Sequence, residues 1–186
     1  MEIVVADDGS LLVTERITFA FDGSFSGAYR DVVTRPGERM TDVAVSEDGA
    51  DYSPGAPTGF GSSGDPGSFG VEDLGNRVRI VWHYRAADEQ RTFTISYRMT
   101  GLAVAYDDVV DVYFRVWGDE WDPSLGHLES RMTLPGSGDP GDVRVWGYPG
   151  TVDGSVSLGA DGVSPSLTAD GIPSRQWGET RDDRSA

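Results

Sequence analysis

The sequence predicts an all-β protein, an antiparallel β-sandwich of the immunoglobulin-like (Ig-like) kind. Three observations carry that reading. Val78, Ile80, Trp82 and Tyr84, then Phe93, Ile95, Tyr97 and Met99, then Val110, Val112, Phe114 and Val116 each recur at every second position. That is the period of a strand with one buried face. The 25 glycines and 10 prolines fall between the apolar runs, as turn punctuation does. No stretch combines a helical apolar period with caps at its ends.

The first element is a hairpin. Ile3, Val4 and Val5 are followed by Asp7, Asp8 and Gly9 and then by a long arm through residues 11–21. Asp-Gly between two apolar runs supplies the positive φ of a tight turn. In the second arm Val13, Ile17, Phe19 and Phe21 share a face that Glu15 interrupts, so Glu15 needs an arginine or a place at the sheet margin. Shorter strands follow at 27–33 and 40–45. Residues 46–67 turn to Gly, Ser, Pro and Asp, with only Tyr52 and Phe60 as anchors. A connection of that length without periodicity is expected to be flexible or functional.

The clear strands at 77–85 and 92–99 are joined by Ala86-Ala87-Asp88-Glu89-Gln90, which suggests a hairpin. After the strand at 110–116 come an acidic loop and a strand that stops at Pro135. Beyond it, short runs at 143–146, 156–158 and 163–167 complete the pattern. Residues 1–135 thus read as the main sandwich. Residues 136–175 read as additional strands that pack on it or form a small C-terminal lobe, and 176–186 as a polar tail. The segment 135–141 is the one plausible internal boundary.

Composition narrows function. The chain carries 31 acidic residues against 15 basic ones, for a net charge of −16, and every base is arginine. Such a surface repels phosphate backbones and anionic headgroups, so neither nucleic acid nor direct membrane adsorption is expected. Without cysteine there is no disulfide, thiolate metal site or cysteine nucleophile. No apolar run approaches the ~20 residues that span a bilayer. Met1 stands directly ahead of a strand, as at the trimmed start of a mature domain, so a leader is expected outside this stretch.

Several runs, in order, resemble one bacterial membrane-protein family, catalogued as domain of unknown function 2207. They are Asp8-Gly9-Ser10-Leu11-Leu12-Val13-Thr14-Glu15, Gly27-Ala28-Tyr29-Arg30-Asp31-Val32 and Val81-Trp82-His83-Tyr84. Ala105-Tyr106-Asp107-Asp108 and Val116-Trp117-Gly118-Asp119-Glu120-Trp121-Asp122 complete the set, which covers about the first 135 residues. The resemblance implies a signal peptide, this β ectodomain, a membrane span and a Gly-rich tail. It implies no activity. It places the domain on the extracytoplasmic side of a cell membrane.

Candidate sites are few. Asp119, Glu120 and Asp122 offer two or three oxygens to calcium, whose shell wants six to eight. Asp107 and Asp108 sit ~30 Å away at the other end of a nine-residue strand, too far to help. A solvated acidic turn is the plainer reading. Arg30, beside Asp31, is expected to brace the sheet by pairing with Glu15 or Asp31. His83 and His127 fall on outward or loop positions, with no nucleophile elbow near them. Paired acids for glycoside hydrolysis exist in number alone. Of the five tryptophans, at 82, 117, 121, 146 and 177, Trp82 reads as core, while Trp117, Trp121 and Trp146, each near the end of a run beside glycine, leave a sugar-stacking platform open. The expectation is therefore a non-catalytic protein interaction module without a cofactor. Its partner would be an envelope protein or its own copies, met through sheet edges and residues 46–67. A calcium- or carbohydrate-binding sandwich is the alternative, and a carboxylate hydrolase the third reading.

Overall fold

A computed structural model describes residues 1–118, 121–136, 139, 141–148, 153–174 and 178–185, with Tyr148 and 178–185 given by backbone alone. Every regular element among them is a strand. In chain order these are β1 (Glu2–Val5), β2 (Leu11–Ala20), β3 (Ser24–Val33), β4 (Arg39–Glu47), β5 (Ala50–Asp51), β6 (Ser53–Pro54), β7 (Ser68–Asp73) and β8 (Arg77–Ala87). There follow β9 (Gln90–Thr100), β10 (Ala103–Ala105), β11 (Val109–Trp117), β12 (Leu125–Thr133), β13 (Val143–Tyr148), β14 (Asp153–Leu158), β15 (Pro165–Ile172) and β16 (Gly178–Ser185). Among the described residues no helix is long and apolar enough to cross a membrane.

The chain divides into two compact units. One comprises Met1–Val13, Gly37–Arg39 and Arg98–Ala186, the other Thr14–Pro36 and Met40–Tyr97. The division falls within β2 and β9, and the boundary expected at 135–141 lies inside the first unit.

In the second unit, β2, β9, β4 and β5 lie side by side in one sheet, and β3, β8, β7 and β6 in another. The inner faces meet through aromatic rings. Trp82 and Tyr84 of β8 lie 5.7 and 4.7 Å from Phe93 of β9, and Phe21 lies 5.3 Å from Tyr84. Ile80, Trp82, Phe93 and Ile95 are fully buried, so the strongest apolar alternations of the sequence form this core. The hairpin expected between β8 and β9 does not form, because the two strands belong to different sheets. Asp88, at φ 51°, turns the chain across the sandwich and accepts the Gly23 amide at 2.7 Å. Both strands carry large inward rings, and facing each other across a core buries these better than lying edge to edge.

In the first unit, β14, β15, β12 and β1 form one sheet, continued by the start of β2, and β10, β11, β16 and β13 form the other. The pairing is mixed rather than wholly antiparallel. β1 runs parallel to β12, with Ile3 opposite Met132, and in the second unit β6 runs parallel to β7. Strands so distant in the chain as β1 and β12 need no hairpin between them, so either direction is open to them. The polar tail expected at 176–186 is also corrected. Gly178–Ser185 is a strand paired with β11 on one side and β13 on the other. Backbone hydrogen bonds to two neighbours hold a segment whose side chains show no apolar period.

Candidate functional site

The first unit has an open end. β10 pairs with β11 so that Ala105 stands opposite Val110 and Ala103 opposite Val112. Period-2 alternation turns these four side chains to one face. Across from them stand Val5, at the end of β1, and Leu134 and Pro135, just past β12, and the space between is a slot of about 350 Å³. Two small alanines leave the room that larger side chains fill elsewhere in the unit. The β1–β2 turn closes one side. Gly9, at φ +76°, comes so near β10 that a Cβ there would lie 3.3 Å from that of Ala103. Asp7 and Asp8 stand on the slot's lining, both exposed. Asp8 accepts the Ser10 hydroxyl at 2.6 Å and amide at 3.0 Å, and Arg98 at 2.6 Å. The Ser10 hydroxyl is the main reason its carboxyl sits below the ordinary range. Val110, on the lining, is 40% exposed, and Val104 and Tyr106, at the alternate positions of this edge, are 42% and 60% exposed.

The second unit holds the buried charges. Glu15 points inward from β2 and receives Arg30 Nε at 3.1 and 3.3 Å. The Arg30 Nη1 donates to the Asp31 carbonyl at 2.9 Å, and the Tyr97 hydroxyl donates to Glu15. Burial first, then the Glu15 charge, push the Tyr97 hydroxyl pKa well above its usual value. Asp31, one residue on, faces the other side of β3. Its two oxygens each accept one Arg79 nitrogen at 2.7 Å, with Arg77 at 3.5 Å. Arg30 thus pairs with Glu15, while the Asp31 carboxylate is taken by Arg79. Bidentate, hydrogen-bonded pairs of this kind hold strands together.

Of residues 46–67, expected to be flexible or functional, the first part holds the end of β4 with β5 and β6, and 55–67 lie as a strap along the outer face of β3, β8 and β7. Ala56 donates its amide to Phe69 at 2.9 Å and covers Gly70 so closely that a Cβ there would meet the Ala56 carbonyl oxygen at 2.0 Å. Thr58 donates to Glu72 at 2.7 Å. Phe60 stacks on the Arg79 guanidinium at 3.9 Å and meets Tyr29 edge-on. His83 does face outward, yet it is only 3% exposed because the strap covers it. Its Nδ1 accepts the Gly64 amide at 3.2 Å, which leaves Nε2 to donate to the Pro57 carbonyl at 3.1 Å. His127 is exposed and 2.7 Å from Asp170.

Of the calcium candidates, Asp119 and Glu120 lie outside the described residues, and Asp122 is exposed. Among the described residues no three His, Asp or Glu side chains gather as a metal site would. Trp117 and Trp121 stack on each other at 4.7 Å and are both buried, so neither offers a face to a sugar. Trp177 lies outside the described residues.

The family model for the N-terminal domain of predicted membrane proteins of the DUF2207 type matches residues 1–181. The chain belongs to this family. No curated protein matches it. Family membership brings the DUF2207 domain an association with membrane proteins and no assigned activity. It also extends past the ~135 residues in which the sequence motifs lie, to include β13–β15 and the start of β16. The apolar alternation of this DUF2207 sequence does not mark the slot. The available signal was Ala103 and Ala105, two small residues at inward positions of a strand flanked by exposed Val104 and Tyr106.

Proposed function

We propose that this domain is a non-catalytic, extracytoplasmic interaction module of a membrane-anchored envelope protein. The slot at the open end of the first unit carries the reading. Its lining is mostly apolar and it is open, Val110 on that lining is exposed, and Val104 and Tyr106 expose further apolar surface along the same edge, a grouping that marks an interaction site. The buried ionisable side chains fit the same reading. Glu15, Arg30 and Asp31 are occupied by one another, by Arg79 and by Tyr97, and His83 spends both ring nitrogens on the strap. Groups so committed brace a fold rather than meet a substrate. The −16 charge supports a domain that stands clear of the anionic bilayer while its anchor lies elsewhere in the protein.

The test is retention from envelope extracts on the tethered domain, beside a Val110→Asp variant. One defined protein held by the native domain and lost with Val110→Asp supports the proposal. Reproducible failure of the native domain to retain any protein overturns it.

A further inference from the structure

We infer that the slot takes an extended, basic segment of a partner protein, laid along β10 with alternate aliphatic side chains seated inside. This rests on the interaction-module reading and names the chemistry of the partner.

Shape comes first. The slot walls at Val5, Ala105, Val110 and Leu134 are aliphatic, and about 350 Å³ is the small end of ligand-pocket volumes, room for one or two aliphatic side chains. β10 is the terminal strand of its sheet, in the order β10, β11, β16, β13, so a further strand has an edge to pair with. Side chains of an added strand alternate as those of β10 do. Every second one falls on the side of Ala103 and Ala105, which is the slot.

Charge then selects the segment. Asp7 lines the slot, and Asp107 and Asp108 stand exposed in the turn between β10 and β11, where Tyr106 donates its amide to the Val109 carbonyl at 2.7 Å. Arg98, a nearby cation, is bound to Asp8. A strand laid along β10 therefore passes carboxylates beside the slot and at the turn that ends β10. A second copy of this chain would bring another −16, and nucleic acid or anionic lipid would bring phosphate, so like charge opposes each of them. Lysine or arginine alternating with aliphatic residues fits both the rim and the slot.

The probe is a fluorescein-labelled octapeptide of alternating lysine and valine, titrated with the domain by fluorescence anisotropy. Alternating lysine–glycine and glutamate–valine peptides are the controls. Saturable binding of the lysine–valine peptide is expected, weakening with added salt as the rim charges are screened. It should be about tenfold or more tighter than the lysine–glycine peptide, with no binding of the glutamate–valine one. Ala105→Phe, which fills the slot, and Val110→Asp, at a residue already 40% exposed, should each weaken binding about tenfold. Melting temperatures check that each variant folds, and Asp7→Asn, on an exposed turn, serves if one does not. Equal binding of the lysine–glycine peptide, or unchanged affinity in all folded variants, overturns the inference. So does self-association of the native domain that Val110→Asp abolishes. An extract partner that binds these variants as well as the native domain sinks this inference and leaves an interaction module that works through another surface. An extract without any partner sinks the module itself.

Discussion

Arg30 holds its Nε 3.1 Å from Glu15 Oε2, and the two side chains are 2% and 5% exposed. A charge pair so deep in a sandwich is costly to desolvate, and its hydrogen bonds to Tyr97 and the Asp31 carbonyl offset that cost. Removing one partner leaves the other charged and buried. Glu15→Leu or Arg30→Met should each destabilise the domain by about 3–5 kcal/mol, whereas the two together should cost clearly less than the single losses added. Urea unfolding of the set measures this. Additive losses would show that the two side chains are not coupled.

Gly64 and Gly70 are two points at which the strap and the sheet touch closely. A Cβ at Gly64 would stand 2.3 Å from the His83 ring, and one at Gly70 would stand 2.0 Å from the Ala56 carbonyl oxygen. Either alanine variant must lift the strap, at a cost of about 1–3 kcal/mol. Cleavage within 57–66 by a broad-specificity protease should then accelerate, while the core amides of β8 and β9 keep their protection from hydrogen exchange. Unchanged cleavage in both variants would mean that the strap is not held at these points.

Glu47 and Arg91 govern part of the acid response. Both Arg91 Nε and Nη2 donate to the Glu47 carboxylate, and the Tyr52 hydroxyl donates to it at 2.8 Å. The Arg91 bond is the main reason the Glu47 pKa is depressed below its ordinary 4.5. A carboxylate depressed on folding contributes stability that is complete above its unfolded value. That contribution disappears as pH falls through the lower, folded value. Thermal melts from neutrality to about pH 3 should therefore show a shallower acid loss for Glu47→Gln than for the native domain. Parallel curves would remove Glu47 from the account.

Phe60 is 69% exposed yet lies against the Arg79 guanidinium, which also donates to the Asp31 carboxylate. At such an exposed site a ring over a guanidinium is worth about 0.5–1 kcal/mol. Phe60→Ala should cost that and little more, while Asp31→Asn, which breaks a buried bidentate pair, should cost several times as much. Equal losses on chemical denaturation would contradict the placement of the two groups.

Net charge makes a broader forecast. With −16 to accommodate, repulsion between exposed carboxylates opposes compaction at neutral pH. Moderate sodium chloride should raise the melting temperature, since the buried pairs are screened less than the surface. A melting temperature that falls as salt is added would mean that surface pairs such as Arg98–Asp8 outweigh the repulsion.

The strands at 78–84, 93–99 and 110–116 were legible because each buries one face, and burial writes a period of two into the residues. The need of Arg30 for an acid and of Glu15 for a base was legible too, since a charge among inward positions demands a partner. Sequence did not tell which acid Arg30 would take. Glu15 and Asp31 both qualify chemically. Strand alternation puts Arg30 inward with Glu15 and Asp31 outward with Arg79, and only the sheet arrangement brings Arg79 within 2.7 Å.

What the residue order determined by itself is therefore local: all-β structure, the inward faces, the turn at Gly9 and the family resemblance. The tertiary structure alone decided that β8 and β9 face each other across a core, that 178–185 pairs as a strand, that 55–67 lies down over His83, and that a slot opens beside β10. Apolar periodicity records which side of a strand meets the core. Backbone pairing, by contrast, is open to almost any side chain, and an empty space is defined by residues far apart in the chain, so neither leaves a period to read.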